Sequence, residues 1–492
     1  MGEAFISRAG NAQNEIIGNA VIRATTFSGA TVVCTNGAKS QTVTSGGSVE
    51  FTVGYGTWTV TSTYNGKARS KTVIVSAMQI YEINLKGVTY GIAIDMSVSD
   101  PTSACSYIDD AVGMSPLSCS SNGVCTYNGW DEIIDEVFGV KPCLYNNGAV
   151  SAYLNKNNYA LKADGSSADI TSGSSGDVMI EFKKTWYKYS VSGSILKFEV
   201  SDYDRSADGF VTAAFLSEDG KASAVDHFYY GAYEGYVLSN KLRSLSGKTA
   251  TANISYDTSI ADAANLGSKY TIETFFKRMY ILGLLKLVTR SRDAQVTIGP
   301  GRVNGNNSPI NTGTMNTAGL FYGRPGTYTE GCKVFGIENF WGNYYNWMAG
   351  LVTMGSGVVG VKSAKPYSSG GSGYTSVSPG FPANNNLIPT AYNPYMNGAV
   401  ILPTSGQSDT SIGWPDYFCI SSYAGYVALV GGGWNSYLAN SGPFYCSVLI
   451  RLRARTRASA RASSLHKELC GGGSKGEATS LPLDSFTEKM VA

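Results

Sequence analysis

Histidine is almost missing from this chain: His227 and His466 are the only two among 492 residues. A Ser/His/Asp relay, a His-rich metal centre or a helical H-E-x-x-H pair each needs histidines that are not there, which excludes most hydrolase and metalloenzyme chemistry. Charge is also scarce, at 15% of residues against ~25% in an ordinary globular domain. The most apolar stretch, residues 275–288, is broken by Lys277, Arg278 and Lys286 and is too short to span a bilayer. The start, MGEAFISRAG, lacks a charged segment followed by an apolar run, so neither a secretory signal nor membrane insertion is expected. No C-x-x-C and no EF-hand pattern occurs, so the expectation is no metal and no cofactor.

Glycine is abundant instead, with 58 residues, about 12% where ~7% is usual. With Ser, Asn and 32 Tyr, this composition reads as strands and turns rather than as a helical bundle. An odd count of nine cysteines favours mostly free, buried thiols. Cys105, Cys119, Cys125 and Cys143 lie close enough in sequence to leave a local disulfide or metal clip open. From Arg451 onward there are 8 Lys/Arg and 4 Asp/Glu out of the chain's 38 and 36, so the tail carries +4 and the body −2. A body with no basic excess is a poor partner for nucleic acid.

Composition shifts divide the chain into a polar lead (1–18), a β module (19–88), a connecting region (89–170), a larger domain (171–456) and a basic tail (457–492). Between 21 and 85, alternating or β-branched runs such as ATVVCTN, GTWTVTSTYN and ARSKTVIV are separated by Gly-containing turns, which predicts a small β-sandwich. Its GTWTVTSTYNGK segment resembles the hairpin of transthyretin-like and PEGA-like spacer modules. Asp131, Glu132, Asp135 and Glu136 in GWDEIIDEVF read as a solvated acidic helix face. Farther on, SIADAANLG predicts a short helix ending at Gly267, and Ile272, Phe275, Phe276, Met279 and Leu282 predict a longer one. Two helices among short strands and long Gly/Ser/Asn/Pro loops amount to an α+β fold. The formal G-x-G-x-x-G at 355–360 has no helix-forming sequence after it, so dinucleotide binding is not expected.

Two segments carry the most information. In residues 334–343, VFGIENFWGN, the side chains of Glu338, Asn339 and Asn343 suit hydrogen bonds to loop backbone. Trp341 and Trp347 supply buried area, and Gly342, Gly431, Gly432 and Gly433 permit tight or left-handed turns. Residues 411–446 hold Trp414, Tyr417, Tyr423, Tyr426, Trp434, Tyr437 and Tyr445 among Ser, Gly and Asn, including Asn435, Ser436 and Asn440. Rigid amphipathic rings mixed with small polar residues are the composition of a binding surface, although some of the rings must be core.

With ENFWGN, Trp347 and the GGGW at 431–434, the chain resembles the C-type-lectin-like domains of the formylglycine-generating-enzyme type. It is more similar still to tail-fibre and variable receptor-binding proteins of phages and prophages. FYYGAYEGYV (228–237) and KLRSLSGK (241–248) resemble the start of such a domain, and TYGIAIDMSVSDPTSACSYIDDAVGM (89–114) its lead-in. The resemblance implies a C-type-lectin-like domain after the β module. It also implies recognition of a host-surface receptor, protein or glycan, by the aromatic loops, which in some relatives are diversified by a retroelement. The implied partners are other virion tail proteins and copies of the chain itself, a trimer before other oligomers. The implied place is the virion tail or the bacterial surface. Rival readings are a structural virion or cell-surface component without a receptor, and an oxidase of the formylglycine-generating type. The oxidase's catalytic cysteines have no counterpart at a matching motif, so the chain is expected not to be an enzyme. The calcium-dependent sugar motifs of lectins are absent as well.

The tail offers nothing to bury. Its arginines alternate with small residues and GGGSKGEATS comes after them, so it cannot offset an ordering cost of roughly 1–2 kcal/mol per residue. Deleting residues 462–492 should therefore leave the melting temperature and binding intact; a truncated chain that precipitates or changes oligomeric state on a sizing column would show that the tail docks.

Overall fold

The computed structural model describes residues 19–451 except 65–66, 384, 386, 409–415 and 437–440; the polar lead and the tail lie outside the described residues. Five strands form the first unit: β1 (Ala20–Thr35), β2 (Ser40–Val53), β3 (Gly56–Tyr64), β4 (Lys67–Val75) and β5 (Ile80–Asn84). They hydrogen-bond in the order β2-β1-β3-β4, with β5 parallel to the start of β1. Alternation explains the core, since Ile22, Ala24, Val32, Cys34, Phe51 and Val60 are all fully or almost fully buried. All five strands are joined through β1 into one hydrogen-bonded sheet. β1 is 16 residues long and its register shifts twice, around Ser28. Its first half pairs with β2 and β5 and its second with β2 and β3, so one strand serves both halves. Arg69 pairs with Asp202, and Lys71 Nζ lies 2.7 Å from Asp110, which ties this unit to the rest of the chain.

From Ile92 to Val448 one large hydrophobic core runs through the rest of the chain, with a smaller cluster around Tyr256, Val352 and Tyr374 apart from it. Residues 89–170 share that core and supply strands to the same sheets as later segments. A five-stranded sheet has the order 158–162, 149–155, 141–146, 177–183, 227–231. A four-stranded sheet places Thr89–Asp95 between Ile195–Ser201 and Cys105–Asp109, with Trp186–Ser192 outermost. A six-stranded sheet is built on Asn346–Gly355, Ala424–Gly431 and Gly442–Arg451.

Four α-helices occur among the described residues: α1 (Trp130–Glu136), α2 (Tyr256–Ala264), α3 (Phe275–Thr289) and α4 (Ala294–Thr297). Strands make up 43% and helices 10% of the structure, which corrects the α+β expectation to an architecture closer to all-β. A layout of two helices among short strands and loops, as in the C-type-lectin-like expectation, does not describe it. The reason is that only α3 is long, and it is spent as a core element. All 15 of its residues are buried, Lys277, Arg278 and Lys286 included. Tyr280 stacks edgewise on Phe215 and Tyr187, and its hydroxyl lies 2.7 Å from Thr185 Oγ1. Gly283 lets the Phe198 ring reach the helix, because a β-carbon there would sit 2.3 Å from it. The basic groups in and just after the last turn of α3 become internal donors: Lys286 reaches the Arg292 carbonyl, and Arg292 reaches those of Val98 and Ser99.

Cys119 and Cys125 form a disulfide, while Cys34, Cys105, Cys143, Cys332, Cys419 and Cys446 are free and buried. The G-x-G-x-x-G is the turn of a hairpin between Asn346–Gly355 and Val358–Val361, with no helix to meet a phosphate.

Trp341 is 0% exposed, and its indole N–H donates to the Gly299 carbonyl at 3.2 Å. Trp341→Ala should cost about 3–5 kcal/mol, read as a lower melting temperature; an unchanged melt would mean that the ring contributes nothing to this core.

Candidate functional site

The ENFWGN segment has little sheet of its own, only a two-residue ladder between Lys333–Val334 and Ile337–Glu338. Asn339 and Asn343 take the left-handed conformation at φ 51° and 59°, which asparagine tolerates better than most residues. Polar side chains then do the work of a ladder. Glu338 accepts the amide hydrogens of Gly313 (2.7 Å) and Met315 (2.9 Å). Asn343 accepts from the Ile310 amide and donates to the Ile310 carbonyl and, at 2.6 Å, to Glu234. Glu234 also accepts from Asn339 (3.2 Å) and from the Tyr344 amide (3.0 Å). Gly342 donates to the Gly431 carbonyl and Trp434 to that of Asn343, so the GGGW turn is bound to ENFWGN. Positive φ at Gly431 and Gly432 makes that turn possible. Gly433 donates to Ser436 Oγ at 3.0 Å. Trp347, half-buried, donates to the Ile254 carbonyl at 2.9 Å and meets Tyr256 edge to face.

The aromatic candidates do not form one surface. Trp414, Tyr437 and Asn440 lie outside the described residues. Ser436 and Tyr445 are 2% and 1% exposed and belong to the interior, because both pack beneath Tyr345. Tyr417, Trp434, Asn435 and Tyr426 are half-buried, and Tyr423 alone is widely exposed, at 69%. The eight-residue strand Ala424–Gly431 separates two groups, by ~26 Å at ~3.3 Å per residue. Tyr423 and Tyr426 stand at the Met354 end of the neighbouring strand; Trp434 and Asn435 stand at the Asn346 end.

At the Asn346 end lies a cleft of about 480 Å³. One side is the outward face of the five-stranded sheet. Val178, Ile180 and Phe182 point into the core, so Asp177, Met179 and Glu181 point away from it. Register sets Tyr145 opposite Asp177 and Tyr229 opposite Glu181. Glu181, 3% exposed, accepts hydroxyl hydrogens from Tyr229 (3.0 Å) and Tyr153 (3.2 Å). His227 is 4.0 Å from the same carboxylate. The lining is completed by Glu234, Asn339, residues 344–347 and residues 271–273. The chain brings the latter two stretches together through the bridge between Thr274 and Ala349.

The sequence points at ENFWGN but not at Glu234, on which that segment leans, nor at the carboxylates and the threonine around the cleft. Glu234, Glu181, Glu218 and Thr271 sit in segments whose local pattern reads as ordinary strand or loop. One signal was available: Arg278 is a charge inside an apolar helical run, and such a group must find buried partners. Comparison with known proteins finds no matching family model and no matching curated protein.

Burial pushes the Glu234 carboxyl up to about 8, against the pull of three N–H donors, and pushes Asp416 up to about 7. For both, the folded chain keeps a proton that the unfolded chain has released. Stability should therefore fall as pH rises from about 4.5 towards 8. The melting temperature should be higher at pH 5 than at pH 8, and Glu234→Gln should make that slope shallower whatever its absolute stability. An identical slope in the variant would remove Glu234 as its source.

Proposed function

We propose that this chain is a receptor-binding or adhesion protein of the phage tail-fibre or variable-protein kind, recognising a host-surface ligand without chemistry. The proposed face is the Asn346 end of the six-stranded sheet, where the Trp434 turn adjoins the cleft. One observation carries this reading. Tyr345 lines the cleft, and its hydroxyl lies 2.6 Å from the buried Ser436 Oγ beneath the Trp434 turn, so the turn is anchored to the cleft wall. Half-buried aromatic rings on a rigid turn are the usual anchors of such surfaces. Assembly as a homo-oligomer, a trimer before others, on a virion tail or bacterial surface would multiply a modest single-site affinity. The oxidase reading gains no support, since all six free cysteines among the described residues are buried. Burial also pushes Cys143 and Cys332 far above the ordinary thiol range.

The test is sedimentation binding of the full chain to host-envelope fractions. Trp434→Ala should cost at least ~2 kcal/mol of binding, about thirtyfold, with the melting temperature retained. Tyr423→Ala, at the far end of the strand, should leave binding within twofold. The reverse pattern would move the face to the Tyr423 end, and no binding by the parent chain would favour a purely structural component.

A further inference from the structure

We infer that the cleft beside Tyr345 receives an extended segment of a host-surface protein, added as a strand to the open edge of His227–Gly231. The inference rests on the receptor-binding reading and narrows its ligand class to protein. His227–Gly231 ends the five-stranded sheet and has one ladder partner there, Asp177–Lys183. In an antiparallel pair, alternate residues turn their N–H and C=O groups to the partner strand and the others turn theirs away. Bonds at both ends set the phase here. The Lys184 amide donates to the Asp226 carbonyl and the Ala232 amide to that of Val178, so Asp226, Phe228, Tyr230 and Ala232 face the neighbour. His227, Tyr229 and Gly231 therefore turn their main-chain groups to the far side, and all three line the cleft. Gly231 has no side chain, so its partial exposure is exposure of the main chain itself.

The place beside this edge is filled only at its start. Leu216 pairs with Ala224, and the Val225 amide donates to the Phe215 carbonyl. Ala213–Phe215 then coil into a short helical turn, and no strand among the described residues continues the pairing. Period and charge define what fits the remainder. Outward groups recur at every second residue, about 6.8 Å apart at ~3.4 Å per residue, which is the repeat of another extended backbone. The charges around the cleft are compensated: Asp177 pairs with Arg243, Glu218 with Lys277, Glu273 with Arg278 and Asp226 with Lys184. Such a lining complements an uncharged main chain, and Tyr145, Met179 and Tyr344 offer apolar surface to its side chains. Main-chain bonds of this kind supply affinity, and the pockets beside them supply selectivity.

Two probes test this. Host-envelope fractions would be treated with protease or with periodate before sedimentation with the full chain. Protease should abolish the Trp434-dependent binding, and periodate should leave it within twofold. The second probe is a blocked pentapeptide of alternating valine and threonine, titrated by calorimetry into the full chain. It should bind in the millimolar range or tighter. Of two twins, N-methylated at odd or at even positions, one should bind at least tenfold more weakly than the other, because only one set of amides meets the edge. Tyr229→Pro removes the amide at the centre of the open edge without taking a bond from the ladder; Tyr229→Ala removes the ring alone. The proline variant should bind the peptide about fivefold more weakly than the alanine variant, the worth of one hydrogen bond, at a similar melting temperature. If it fails to fold, the methylated twins decide the matter. No peptide binding, or equal binding of the twins, or equal binding by the two folded variants, would overturn the strand pairing. Envelope binding that survives protease and is lost to periodate would make the ligand a glycan, overturning the inference while the receptor reading stands. Peptide binding in the expected pattern, without envelope binding by the parent chain, would overturn the receptor reading alone.

Discussion

The guanidinium of Arg278, 1% exposed, holds together segments that are far apart in the chain. It donates to the Pro443 carbonyl, to the Phe340 carbonyl in ENFWGN and to Glu273 at 2.6 Å, and it lies 4.3 Å from the Phe340 ring. Withdrawing such a charge from water costs several kcal/mol unless its donors are met, so the position of each partner is tightly prescribed. The helix, the ENFWGN loop and the last strand are therefore placed by one side chain. Glu234 does the same a short way off for residues 339–344, and Glu338 for the backbone at 313 and 315.

This explains how a chain so rich in loops keeps a defined cleft. Backbone groups that lack a sheet partner still need one when buried, and here charged and amide side chains provide it. Once Glu234, Glu338 and Arg278 are satisfied internally, they are committed to structure and leave little charge for a ligand. What remains at the cleft is largely ring surface, from Tyr229, Tyr344 and Trp347 among others. The aromatic turn at Trp434 inherits its position from the same network, through its bonds to Asn343 and Ser436.

Local pattern made several features readable. The alternation in ATVVCTN and GTWTVTSTYN specifies strands with one buried face, and the helical period after Ile272 specifies α3, which begins at Phe275. The short polar residues of ENFWGN announce themselves as partners for loop backbone. The weight of the fold was less visible. A period marks a helix without saying whether it lies on a surface or is wrapped by strands, and α3 is buried on every side. The aromatic composition of 411–446 suggests one binding face, yet an eight-residue strand divides it, and Ser436 and Tyr445 point inward.

By itself the sequence determined the β-rich character, the helix at 275–289, the bonding role of the ENFWGN side chains and the poverty of histidine chemistry. Those properties depend on residue type and on spacing within a dozen positions. Tertiary structure alone decided that one long β1 pairs with β2, β3 and β5, that Tyr345 joins the Trp434 turn to a cleft, and which cation meets each carboxylate. These depend on contacts such as that between Arg278 and Pro443, 165 residues apart. No local pattern encodes such a contact, because its energy exists only once both segments have been brought out of water together.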